Sequence, residues 1–477
     1  MSTHLLEEVL KGFEFFIAFF AGTYIISYVM LAILSYYAII KHVNARVHIH
    51  EDVLIKSDDL VGVSVIAPAF NEASTIIYNV KSLLSLTYPK FEVVIINDGS
   101  SDDTLEKLIK EFKLVKVEFF YQEHIKTQPV RGHYKSTNPV YYNLLVVDKE
   151  NGGSKADASN AGINSSQYPL FLCTDVDCIL KKDTILKLAK PFMEATDKKV
   201  IATGAGIRIS NSCEVKEGYL TRIHFPRHWY PRFQELEYIR AFLFGRMAWG
   251  QINSLLLVSG GLGMFDKNIV IEIGGYWHKS LGEDMELITR MRKYMHQKKE
   301  KFIIKYIPES LCWTEVPGNV RDLTKQRTRW ARGLVQTMFL HKGMLFNPKY
   351  GRTAFVILPY FLLFEFLVPI VELFGLIVFV LGLIFLDLDY TFFIEITIFV
   401  YLFYLTVTII SLFFDEILYK NYASTREIVS LIGISLIEPI FFHPINSFSY
   451  LRGYWNFLIN KKQTWGSLKR QGYLIES

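Results

Sequence analysis

A chain of 477 residues, 51% apolar and 15% aromatic, is long enough for a large soluble domain beside a membrane region, and its apolar content is high for a purely soluble protein. A net charge of only +5 gives no basis for nucleic-acid binding, and twelve histidines without an H-E-x-x-H pattern give none for a zinc hydrolase. Cys173, Cys178, Cys213 and Cys312 form no C-x-x-C pair and read as reduced thiols of a cytosolic core.

After a tail over residues 1–12, residues 13–40 carry Glu14 as their only charge and predict a transmembrane helix. As a helix they span ~42 Å, more than a ~30 Å hydrocarbon core, so the helix fits with a tilt. The run is too long for a cleaved signal peptide and lacks a basic leader. Glu7 and Glu8 precede it while Lys41 and Arg46 follow, which by the positive-inside rule puts the next segment in the cytoplasm.

Residues 61–345 alternate apolar strand-like runs with helical patterns, the signature of an α/β domain on a mixed, mainly parallel sheet with polar groups at the strands' carboxyl ends. Strands are expected at 62–67, 91–96, 116–121, 141–147, in the D-x-D run 171–178, and at 200–207. Helices are expected over about 72–86, from 102 and from 155, and residues 122–140 read as a mobile loop. From 354 to 460 the composition turns apolar again, giving a C-terminal membrane region of two to three helical segments. These are 354–386 with Pro359 and Pro369 as breaks, 392–414, and a weaker 428–448 broken at Glu438-Pro439 and His443-Pro444. Arg452 and a basic tail over 461–477 prefer the cytoplasm, so an odd number of crossings does not fit and the third segment is expected to be re-entrant or interfacial.

Six stretches carry candidate chemistry. In Phe171-Leu172-Cys173-Thr174-Asp175-Val176-Asp177-Cys178 an apolar strand ends in two carboxylates one residue apart, which can project to the same side. Two hard oxygen ligands suit a divalent cation, Mg²⁺ or Mn²⁺, that also takes diphosphate oxygens. A D-x-D arises by chance roughly once in such a chain, and Asp387-Leu388-Asp389 is a second one. The setting at a strand end is what distinguishes the first. Asn97-Asp98-Gly99-Ser100 also ends a strand and is either a turn or a carboxylate for a nucleobase or ribose; Pro68-Ala69-Phe70-Asn71-Glu72 has the same position one strand earlier, with helix capping as the plain alternative. Lys155 opens a helix after Gly152-Gly153, a place for a diphosphate, although a solvated lysine would look the same. Glu283 and Asp284, in Gly282-Glu283-Asp284, open another helix, where acids serve the dipole or supply a base to an acceptor hydroxyl. Gln326-Arg327-Thr328-Arg329-Trp330 is the least accidental pattern. It is either a basic amphipathic helix on anionic lipid, or an arginine for a phosphate oxygen next to a tryptophan for a sugar face.

Together these motifs resemble the membrane-embedded family 2 glycosyltransferases of the polysaccharide-synthase kind, the cellulose, chitin, hyaluronan and poly-N-acetylglucosamine synthases, over residues 61–343. The likeness to the poly-N-acetylglucosamine kind is closest at 236–240, Gly245-Arg246 and 312–317. The resemblance implies a GT-A-like nucleotide-sugar domain with Pro68, Asn71 and Glu72 near the donor and Asp98 on the uracil. It puts Asp175 and Asp177 on the diphosphate and metal, with Lys155 and Arg329 countering charge. Gly260 and Gly261 would line the acceptor site, Glu283 would sit beside it, Asp284 would be the base, and Gln326, Arg329 and Trp330 would form the Q-x-x-R-W signature. The implied activity is inverting transfer from a UDP-sugar to a growing glycan at the cytoplasmic face of the cell membrane, with residues 234–250 and 321–337 along the membrane surface. The implied partners are the donor, the glycan, the lipid bilayer and a small membrane or export subunit, with no nucleic acid. Two departures stand out: Asn97 replaces an acid found in many members, and one membrane helix precedes the domain where several relatives have two or more. Single-sugar transfer to a lipid or small acceptor is the alternative. A non-catalytic transporter or scaffold is a second, motivated by Glu365, Glu372 and Glu438 in apolar segments, where a charge costs ~2.5–3.5 kcal/mol.

Overall fold

The computed structural model describes residues 3–46, 55, 60–216, 219–385, 390–419, 425–461 and 474–475. Asp387 and Asp389, and the tail cations Lys462, Lys469 and Arg470, lie outside the described residues. The architecture is α/β, centred on a ten-stranded mixed sheet in the order β3-β4-β5-β2-β1-β6-β11-β8-β12-β7. Its middle strands, β5 (Leu144–Lys149), β2 (Phe91–Asp98), β1 (Val63–Ala69) and β6 (Leu170–Thr174), are all parallel. Beyond them lie β11 (Leu262–Asp266), β8 (Lys199–Ile209), β12 (Phe302–Thr314) and the short β7 (Ile179–Leu180). β11 is antiparallel to β6 and β8, while β8 and β12 are parallel.

Alternation along β1 and β2 builds two cores. Val63, Val65, Val93 and Ile95 pack on one face with Ile76, Val80, Leu83, Leu108 and Phe112 of the helices Ile76–Leu84 and Thr104–Phe112. Ile66, Val94 and Ile96 point the other way, onto the helix Lys155–Ser165, with Leu287, Ile288 and Met291 of Glu283–Lys298 in the same core. Gly162 lets the first of these helices lie close to the sheet, since a Cβ there would stand 2.5 Å from Ile66 Cγ2. That approach fixes where the helix begins, at Lys155.

The outer strands depart from expectation. Residues 122–140 are not one loop: they contain β4 (Val130–Ser136), antiparallel to β3 (Leu114–Val117) and β5. Its sequence VRGHYKS lacks an apolar face because backbone pairing, not side-chain burial, holds most of it. β3 ends at Val117 rather than 121, and β5 runs on to Lys149, so two charged residues lie inside a strand. The first helix is Thr3–Arg46, longer at both ends than the apolar run it contains.

Among the described residues three helices are long and apolar enough to cross a membrane: Lys11–Asn44, Thr353–Leu381 and Ile394–Tyr419. The pair Thr425–Phe441 and His443–Leu458 is bent by 44°, a broken span or a re-entrant loop. The bend falls at Phe442, just before Pro444, whereas the break expected at Glu438-Pro439 is absent: Pro439 lies within the helix Thr425–Phe441. The span Thr353–Leu381 contains π-helical turns at Thr353–Ile357 and Phe361–Phe366.

Candidate active site

The register of the middle strands brings their carboxyl ends into line. Ala69 lies opposite Asn97, and Asp98 opposite Lys149. The loop leaving β5 then serves two acids. Gly152 N–H donates to Asp98 Oδ1 (3.1 Å), and three residues on Lys155 Nζ pairs with Asp175 at the end of β6. Ser154 caps the intervening helix start, accepting from Asp157 N–H.

Lys155 Nζ also donates to Gly260 O (2.7 Å), and Gly260 N–H donates to Asp284 Oδ2 (3.0 Å). One peptide segment therefore joins the D-x-D strand to the first turn of Glu283–Lys298. Thr174 Oγ1 holds the next carbonyl, Gly261 O, at 2.9 Å. A Cβ on Gly260 would stand 3.5 Å from Lys155 Nζ and 3.6 Å from Asp284 Oδ2, so the glycine keeps the gap between them open. Asp284 Oδ1 accepts from Met285 N–H (2.8 Å), which leaves the carboxylate fixed at the helix end. Burial and the neighbouring charge of Asp284 push the Glu283 carboxyl up, against the pull of Arg329 and Lys155. Those four groups thus act on one another across the same space.

The helix Val320–Leu340 backs directly onto this turn. Gly333 meets Gly282 so closely that a Cβ on Gly333 would lie 2.6 Å from the Gly282 nitrogen, and Gln336 accepts from Leu281 N–H (3.0 Å). Trp330 is half-buried with the Arg327 guanidinium 4.2 Å from its ring centre, so one aromatic face is already covered. Gln326 Oε1 is buried without a hydrogen-bond partner.

Asp175, Asp177 and Cys178 present ligand atoms within 4.8 Å of one another. Both carboxylates are half-buried, hard oxygen donors and so fit a divalent cation, while the thiol beside them is a soft donor that Mg²⁺ does not favour.

The other expected positions serve local structure. Asn71 holds a left-handed φ of 56° and clasps the next strand's loop, accepting from Ser101 N–H (2.8 Å) and donating its own N–H to Ser100 Oγ. Pro68 sits within β1 opposite Ile96, and the Glu72 carbonyl accepts from the first amides of the following helix. Asp98 is buried, and its Oδ1 is already taken by Lys149 Nζ (2.7 Å) as well as by Gly152. Burial raises its pKa against the opposing pull of Lys149.

Sequence reasoning missed Lys149, which also pairs with Asp157 (2.6 Å). The signal was a lysine continuing an apolar strand into Glu150-Asn151-Gly152-Gly153. Arg246 enters the sequence reading only through the likeness at Gly245-Arg246, with no role given; Asp284 acts on it and it lies 3.9 Å from the Phe242 ring.

The profile described as glycosyl transferase family 2 matches residues 64–253, and that of glycosyl transferase family group 2 matches 170–414. The poly-beta-1,6-N-acetyl-D-glucosamine synthase of Staphylococcus epidermidis is 29% identical over 283 residues, covering 59% of this chain and 57% of that protein. The protein of the same name from Staphylococcus aureus strain COL is 29% identical over 282 residues, covering 58% and 56%. The match thus spans less than three fifths of the length of these curated relatives. Among solved structures, the mannosyltransferase PcManGT from Pyrobaculum calidifontis in complex with GDP-Man and Mn²⁺ aligns with a TM-score of 0.48 at 15% identity, over 91% of this chain and 100% of that one. With the second of these profiles covering more than half of its length, the chain belongs to glycosyl transferase family group 2.

Proposed function

We propose that this glycosyltransferase moves N-acetylglucosamine, from UDP-N-acetylglucosamine, onto a growing glycan with inversion at the sugar's C1, building a polysaccharide at the cytoplasmic face of a membrane. The domain over 61–345 carries the reaction, and residues 13–40 and 354–460 hold it to the bilayer. The observation that carries this reading is Gly260: its carbonyl binds the lysine that holds Asp175, and its amide binds Asp284.

A donor diphosphate at the end of β6 would meet Lys155, with Arg329 as the second countercharge. Asp98 would keep its second oxygen for the uracil, with Pro68, Asn71 and Glu72 shaping the rim. Asp284, fixed by two backbone amides, would take the proton of an acceptor hydroxyl while that oxygen bonds to C1 and the bond from C1 to UDP breaks on the far side. Glu283 would keep the first turn acidic, Gly260 and Gly261 would leave room for the acceptor, and Gln326 and the uncovered face of Trp330 would bind its sugar. A divalent cation held by Asp175 and Asp177 would stabilise charge on the departing diphosphate as a Lewis acid. The similarity to poly-beta-1,6-N-acetyl-D-glucosamine synthases supports both the sugar and the polymer.

Asp284→Asn is expected to lower transfer by about 10²–10⁴-fold with UDP binding retained, measured on purified membranes with radiolabelled UDP-N-acetylglucosamine and Mg²⁺ or Mn²⁺. Near-wild-type turnover would refute the base assignment. Sizing the product on a gel separates polymer synthesis from addition of a single sugar.

A further inference from the structure

Two charged side chains outside the transfer chemistry bear on Trp330. Arg327 is almost completely buried (1% exposed), a costly place for a guanidinium unless it is paired. Its Nη2 donates to Glu237 Oε2 at 2.5 Å, and its planar head lies over the Trp330 ring. Glu237 comes from the helix Trp229–Ile239, far away in sequence. That helix is itself anchored three residues on. Arg240 binds Glu438 through two hydrogen bonds of 2.6 and 2.8 Å and lies over the Tyr404 ring at 4.7 Å. Glu438 is 1% exposed and belongs to the bent helix pair.

A guanidinium stacked on an indole prefers the flat arrangement, and a carboxylate gripping its edge removes the freedom to rotate away. Among the described residues the Arg327 Nε has no hydrogen-bond partner, and Glu237 supplies the carboxylate that orients the group. We infer that Glu237 and Arg327 are positioning residues for the acceptor sugar, acting through Trp330: they set the tilt of the indole face on which the glycan end rests. This rests on the reading of Trp330 as an acceptor contact. The ion pair Arg240–Glu438 ties the same unit to the membrane helices, so the stacking face is referenced to the bilayer segment as well as to the catalytic turn.

The test uses the full-length protein purified in detergent, with UDP-N-acetylglucosamine as donor and an N-acetylglucosamine pentasaccharide as acceptor probe. Glu237→Gln, Arg327→Met and their double variant are compared with Trp330→Ala, and thermal unfolding checks that each is folded. Arg327→Lys serves as a second variant, since it keeps the buried charge but not the planar stack. The expected result is a rise in acceptor KM of about 3- to 30-fold in Glu237→Gln, Arg327→Met and Arg327→Lys, with donor KM moved far less. The double variant should be no worse than the worse single, because both act on one contact. Donor KM rising in step with acceptor KM, additive singles, or full rescue by Arg327→Lys overturns the inference. If Trp330→Ala alone raises acceptor KM, the inference fails while the acceptor reading stands. If Trp330→Ala leaves acceptor KM unchanged, the acceptor reading itself fails.

Discussion

Asp98 with Lys149 and Asp175 with Lys155 are the same two residue types, their acids at the ends of β2 and β6 on either side of β1, yet they differ in what surrounds them. Lys149 is fully buried between two acids, Asp98 and Asp157, and Gly152 N–H adds a further donor to Asp98. Lys155 has one acid and one carbonyl, and Asp175 keeps 41% of its side chain exposed. Displacing the first pair would strand a charge away from water, whereas in the second the lysine is buried, 8% exposed, but its acid stays open to solvent. Chemically identical pairs are therefore built differently, one closed on both sides and the other open at its carboxylate.

The comparison breaks if the two lysines respond alike. Lys149→Met should destabilise the protein most, by about 3–5 kcal/mol, because it leaves two carboxylates buried without a cation. Thermal or denaturant unfolding in detergent reads this. His133, on β4 at the closed side of the sheet, sharpens the same point: burial holds its pKa down to about 4 from an ordinary 6.5. A depressed histidine contributes stability above pH 6.5 that is lost as pH falls towards 4, roughly 1–3 kcal/mol. Unfolding curves across that range should show the loss, and His133→Gln should flatten it. Lys155→Met, by contrast, should hardly move the melting temperature and should weaken UDP binding about tenfold, the scale of one charged hydrogen bond, as read by calorimetry. Smallest is Asn71→Ala, about 1 kcal/mol of stability, from lost clasping bonds and a left-handed backbone without its preferred residue; Asn71→Gly should recover the backbone part.

Much of the GT-A-like α/β architecture is legible in the sequence because β1, β2, β6 and β8 are continuous apolar runs, each closed by polar residues. β4 is not legible, since VRGHYKS is held by backbone pairing on both sides and has no apolar period to read. Within the site, the sequence motifs point to Asp175, Lys155, Asp284 and Gly260, and hydrogen bonds join these four. Lys149 escaped because a lysine at the end of a strand looks solvated until a partner 51 residues earlier in the chain is known to lie opposite. Trp330 was read as an open stacking face, and the residue that covers one side of it stands three positions away on the same helix, a spacing that sequence alone leaves ambiguous. Of the two breaks the sequence suggests in the last pair of helices, Pro439 stays inside Thr425–Phe441 and only Pro444, at the start of His443–Leu458, coincides with the bend.

The meeting of Gly282 with Gly333 leaves no room for a side chain between two backbones, so the turn bearing Asp284 and the helix bearing Trp330 fit together as one machined part. Any side chain inserted there acts as a shim. It would change the spacing of Asp284 and Trp330 without touching either, and under the proposed mechanism a displacement of about 1 Å would cost about a hundredfold in rate. The spacing of the two candidate groups is thus set by two residues that have no chemistry of their own.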